Sequence, residues 1–141
     1  LSLASNILDS LNGSLFNIKF LDDWILRVFL GVSFSLHGYQ KLPLPSQNMI
    51  EWFGFSPWLA TLIPVAELLG GSLIIISGFI KGDIGSLATR IAGLIIFVYM
   101  IFAFAIAHKN WFITPKLFMS EQIFLWALGL YFLLKGKSLK D

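Results

Sequence analysis

The chain has 141 residues, of which 57% are hydrophobic and only 13% charged, against roughly 25% charged in an ordinary soluble domain. A bilayer-spanning helix takes about 20 apolar residues, so this length holds about four spans with short connections and no soluble catalytic domain. Cysteine is absent and the net charge is +2, which excludes thiol nucleophiles, disulfides and cysteine-held iron–sulfur clusters in this chain, and the dispersed lysines form no nucleic-acid-binding stripe.

The sequence opens on Leu1 with no basic region before it, so a true start or a removed segment is expected upstream. Within residues 1–20, Ala4, Leu8, Leu11 and Leu15 recur at helical spacing among Ser, Asn and Asp residues. This pattern predicts a short amphipathic helix at the membrane surface, stopped near Asn12-Gly13. Residues 21–141 read as one transmembrane domain. Its first span is expected from about Leu21 to Gln40, entered through Asp22 and Asp23 and closed by Lys41-Leu42-Pro43-Leu44-Pro45, whose prolines cannot continue a helix. Glu51-Trp52-Phe53-Gly54-Phe55 reads as an interfacial loop or half-turn. A second span runs from about Pro57 to Phe79, a third from about Ser86 to His108 and a fourth from about Ser120 to Leu134, with Lys135-Gly136-Lys137 as its stop. Short loops make consecutive helices antiparallel neighbours, so the expected fold is all-α: an integral membrane antiparallel four-helix bundle.

Lys19, Lys81, Lys135, Lys137 and Lys140 fall on the side carrying both termini, against Lys41, Lys109 and Lys116 opposite. That bias points to cytoplasmic termini in a bacterial-type inner membrane.

Each expected span carries a charged residue: Arg27, Glu67, Arg90 and Glu121. Charges in hydrocarbon face a bundle interior or a cavity, and two guanidiniums with two carboxylates sum to zero. A structural ion-pair network and a functional site both fit that pattern. At about 100° per residue, Arg27, Gly31, Phe34 and Gly38 share one face, and Glu67, Gly70, Gly71, Ile74 and Gly78 share another. Small residues let backbones approach, so the glycines read as helix-packing positions. Counting depth from the helix ends predicts one buried layer of Arg27, Glu67 and Arg90, with at least one Arg on Glu67. It predicts a second, outer group of His37, Lys41, His108 and Glu121. Arg90 and His108, 18 residues apart, share a face at opposite ends of their helix, about 27 Å apart. The histidines and the carboxylate lie on three helices without a tight ligand spacing, so neither a metal nor a haem is expected.

His37-Gly38-Tyr39-Gln40-Lys41-Leu42, Glu67-Leu68-Leu69-Gly70-Gly71 with Ser77-Gly78-Phe79, Thr89-Arg90 leading to Ala107-His108, Glu121, and the ending Gly136-Lys137-Ser138-Leu139 together resemble the DoxX family over about Leu26 to Asp141. The resemblance implies a four-helix membrane bundle. It also implies an accessory or quinone-linked subunit of a larger membrane complex, as in the DoxD-like small subunits of thiosulfate:quinone oxidoreductase and in sulfur-redox or oxidative-stress assemblies.

Three functions follow as expectations. The first is a quinone-linked redox subunit whose His37, Lys41, His108 and Glu121 hydrogen-bond the quinone. The second is a non-catalytic accessory subunit whose charges set helix register. The third is a small-solute carrier using Arg27, Glu67 and Arg90. Partners are membrane lipids with other subunits or further copies of the chain; no cofactor is intrinsic, and quinone is the one ligand the resemblance suggests.

Overall fold

The computed structural model describes residues 2–15, 20–108, 110 and 114–137, and every regular element among them is helical. Lys19, Lys109, Trp111, Lys140 and the Ser138-Leu139 ending lie outside the described residues.

Helix α1 spans Leu3–Leu15, two residues past the expected stop. Ser2 opens it by accepting from the Ser5 amide at 3.2 Å. Its Leu3, Ile7, Leu8, Leu11 and Leu15 are all exposed, and none of its residues is buried.

Helix α2 (Leu21–Tyr39) buries Arg27, Leu30, Gly31, Phe34 and Gly38. Helix α3 (Gln47–Phe53) occupies the segment read as an interfacial loop and ends at Gly54, whose φ of 67° is the left-handed conformation that closes short helices. Helix α4 (Pro57–Ile76) starts on Ser56, whose side chain accepts from the Leu59 amide, and continues into a 3₁₀ turn at Ser77–Phe79. Helix α5 covers Gly82–Ile106. It begins one turn earlier than Ser86, because Gly82 at φ 74° makes the tight entry from the 3₁₀ turn. A short α6 (Pro115–Phe118) leads to α7 (Glu121–Lys135).

Helices α2 and α4, α4 and α5, and α5 and α7 pack as successive neighbours, and α7 returns to touch α2. Backbone proximity sets these contacts. A Cβ added at Gly71 would stand 2.6 Å from the Gly31 carbonyl oxygen, and one at Gly38 2.9 Å from that of Pro64. The α5–α7 seam uses Gly93 and Gly129 in the same way, with a Cβ at Gly93 only 2.5 Å from the Leu133 amide. Leu30, Phe34, Ile74, Ile96, Met100 and Phe132 fill the space between.

Large apolar residues also cover the outside, among them Phe29, Leu69, Leu87, Phe102 and Phe124, a distribution suited to lipid rather than water. The segments Pro57–Phe79 and Gly82–Ile106 are long and apolar enough to cross a bilayer.

Candidate functional site

Two polar clusters sit at opposite ends of α2. Near its start, Arg27 is 0% exposed. Its Nε donates to Asp23 Oδ2 at 2.6 Å, Nη1 to the Ile74 carbonyl at 2.9 Å and to Ser77 Oγ at 3.0 Å, and Nη2 to Thr89 Oγ1 at 3.1 Å. The guanidinium also lies 5.0 Å from the Phe132 ring centroid. Asp23 uses its second oxygen for Lys135 of α7 at 3.1 Å. Lys137 Nζ donates to the carbonyls of Gly78 and Ile80, ending the 3₁₀ turn. This end ties α2, α4, α5 and α7 together, and with four of its five N–H donors bonded and no surface exposed the guanidinium is closed to a ligand.

Arg90 does not belong to a buried layer. It is exposed, and its guanidinium donates to the carbonyls of Leu133, Leu134 and Lys135. It therefore satisfies the last, otherwise unpaired carbonyls of α7 from the neighbouring helix.

Past the other end of α2, Lys41 reaches back along the bundle and donates to both Glu67 oxygens, at 2.9 and 2.8 Å, and to the His37 carbonyl. Glu67 is 2% exposed. Its Oε1 also accepts from the Tyr99 hydroxyl at 2.6 Å. The cation expected on Glu67 is thus Lys41 and not an arginine: a flexible lysine stem carries charge inward from a position the sequence places at the interface, while Arg27 is taken up by Asp23 one turn before it.

A cavity of about 360 Å³ opens on this second cluster, within the range of about 300–1,000 Å³ usual for ligand sites. His37, Lys41, Glu67, Tyr99, His108 and Gln122 contribute its polar wall, and α3 covers it with Asn48 and Trp52. One backbone bond holds that cover in place. Pro64 has no N–H to give the Ala60 carbonyl four residues earlier, and the buried Ser46 amide, just before α3, takes that carbonyl at 3.0 Å.

Of the expected outer group, His37, Lys41 and His108 line the cavity. Glu121 does not. Its side chain is 64% exposed and approaches His37 Nε2 at 3.3 Å from outside, and the next residue, Gln122, lines the wall instead. Burial holds the pKa of His108 below its ordinary value, favouring the neutral imidazole. Glu67 joins this group although depth counting assigned it to the arginines. Tyr99 and Gln122 were not singled out from sequence, and no spacing marks them. Asp23, four residues before Arg27, carried a readable ion-pair signal.

Among the described residues the regular structure is all helical, two segments have bilayer length and apolarity, and the buried Arg27 and Glu67 are paired inside, the character of a membrane-helix protein. The family model for DoxX matches residues 23–109, more than half of the chain, and the protein belongs to the DoxX family. Comparison with curated proteins and with solved structures finds no match.

Proposed function

We propose that this chain is a quinone-linked accessory subunit of a larger membrane complex, and that the Lys41–Glu67–Tyr99 cavity receives the quinone head. The observation that carries the reading is the charge-neutral convergence of hydrogen-bonding side chains from α2, α4, α5 and α7 on one cavity. Lys41 and Glu67 cancel. An anionic head would meet Glu67 and a cationic one Lys41, whereas an uncharged head meets no net field: a quinol hydroxyl can donate to Glu67, and a quinone carbonyl can accept from Gln122 or, on displacing the bond to the His37 carbonyl, from Lys41.

Interconverting a quinone and its quinol moves two electrons and two protons. The titratable side chains of the cavity wall supply proton donors and acceptors, and the electrons pass to or from a partner subunit bearing its own redox group. In this reading α2 and α7 cross the bilayer alongside α4 and α5 as an up-down-up-down bundle, and α1 lies on the membrane surface. The lysine bias places both termini on the cytoplasmic side of a bacterial-type inner membrane.

Titrating the purified chain with a benzoquinone while following tryptophan fluorescence tests the reading, because Trp52 stands in the cavity wall. Saturable quenching weakened at least tenfold by Lys41→Met is expected. No binding at saturating quinone, or binding indifferent to that substitution, overturns it.

A further inference from the structure

The polar cavity has an apolar neighbour. Along α4 and α5 runs a second, wholly apolar groove of about 700 Å³, and Met49, Phe53, Tyr99, Ala103 and Ala107 line both spaces. Tyr99 stands at the junction: its hydroxyl turns to Glu67 in the polar cavity while its ring forms part of the groove. Beyond the junction the groove floor is Ile63, Ala66 and Ile95, and its rim of Leu62, Leu94 and Phe102 is exposed on the outer face of the two bilayer-length helices. Helix α3 roofs both spaces at the junction, through Met49 and Phe53.

We propose that the polar cavity and the apolar groove are one binding site, reached from the lipid between α4 and α5, for an amphiphile whose uncharged head meets Lys41, Glu67 and Tyr99 and whose hydrocarbon tail lies along the groove. The inference rests on the quinone reading for the head and adds the substrate class: a long-tailed, lipid-soluble molecule instead of a small polar one. Five lining residues common to both spaces set them side by side at Tyr99, so a chain attached to a head at Glu67 has apolar wall to follow once it passes that residue. An independent phospholipid has no such reason to stop there, because its charged phosphate would have to leave water for a cavity whose Lys41 and Glu67 charges are already paired with each other. The apolar groove contributes affinity in proportion to the tail area it removes from lipid and water, and the polar cavity contributes orientation.

The test uses the full chain in zwitterionic lipid nanodiscs and two probes, a benzoquinone with a decyl tail and the same ring with a methyl group in place of the tail. Wild type is expected to bind the tailed probe at least tenfold more tightly. Ala66→Phe, which fills the groove away from the head, is expected to remove that advantage and leave the tailless Kd unchanged. An unchanged tailless Kd also shows that the variant is folded, and Val98→Trp on the groove wall repeats the test should Ala66→Phe not fold. The tailed probe also partitions into lipid, so the comparison between variants decides the outcome. Equal affinity for both probes, or an advantage that survives both substitutions, overturns the groove assignment while leaving the head site standing. Failure of both probes to bind wild type overturns the head site and the groove assignment together.

Discussion

The two ends of α2 handle buried charge in opposite ways. At Arg27 the guanidinium is spent on Asp23, Ser77, Thr89 and a carbonyl, is fully enclosed, and stacks near Phe132. At Glu67 the carboxylate is equally deep but its partners, Lys41 and Tyr99, stand on the wall of a cavity. Charge in an apolar bundle is therefore not by itself a sign of function. What separates a strut from a site is whether the paired group borders space that another molecule can enter.

The comparison breaks most severely at its structural end. Arg27→Met removes the buried cation from Asp23, which keeps only Lys135, and takes one bond each from the Ser77 and Thr89 hydroxyls and the Ile74 carbonyl, at a cost of about 3–5 kcal/mol. Little folded protein should survive, as size-exclusion profiles in detergent would show. A normal yield and melting curve would mean that the Arg27 cluster is not a strut.

Next in size is the close helix contact that carries α2 against α4. Gly71→Ala places a Cβ 2.6 Å from the Gly31 carbonyl oxygen, against backbone that has no rotamer to yield, and overpacking of this kind costs about 1–3 kcal/mol. A lowered thermal midpoint is expected, with the quinone affinity of the folded fraction within about threefold of wild type.

At the cavity end the effects shift from stability to binding. Glu67→Gln keeps the shape, removes the charge that holds Lys41, and should weaken quinone binding about tenfold, while Glu121→Gln, exposed and outside the cavity, should leave it within twofold. Glu67→Ala should also lower folded yield more than Glu121→Ala. Equal effects at the two positions would dissolve the distinction between wall and rim.

The smallest expected effect is a pH dependence at His108. Burial depresses its folded pKa below 6.5, so both states are neutral above that pH and the residue contributes nothing there. As pH falls below 6.5 the unfolded chain takes up the proton first, and stability declines until the folded pKa is passed. His108→Gln should flatten that acid limb of the melting profile, and an unchanged limb would place the titration elsewhere.

Helical periodicity made the inner faces legible: Arg27, Gly31, Phe34 and Gly38 of α2, and Glu67, Gly70, Gly71 and Ile74 of α4, are buried. It could not choose partners among them, because depth counted along helix axes ignores side-chain reach. Lys41 bends several ångströms inward to Glu67, and Arg90 bends outward to cap α7, so the pairing of two arginines with one glutamate dissolved into local solutions. The α5–α7 seam at Gly93 and Gly129 was missed because Gly129 stands alone in its apolar stretch, and Arg90, three residues before Gly93 on the same face, was assigned to Glu67 instead of to α7. The roof made by α3 was hidden for another reason: its seven residues carry no periodic run, and its position depends on Pro64, eleven residues beyond its end, leaving a carbonyl for Ser46.

The division of labour between the two clusters is tested most directly by ligand-induced stabilisation, measured as the shift in thermal midpoint on adding the decyl-tailed benzoquinone. At a hundredfold excess over Kd a single-site ligand adds about 2.7 kcal/mol to the folded state. Wild type should show the full shift, and Asp23→Asn, although it melts earlier, should gain the same increment, while Glu67→Gln at the same quinone concentration should lose about half of it. A full shift in Glu67→Gln, or its loss in Asp23→Asn, would contradict the assignment of binding to one end of the bundle and support to the other.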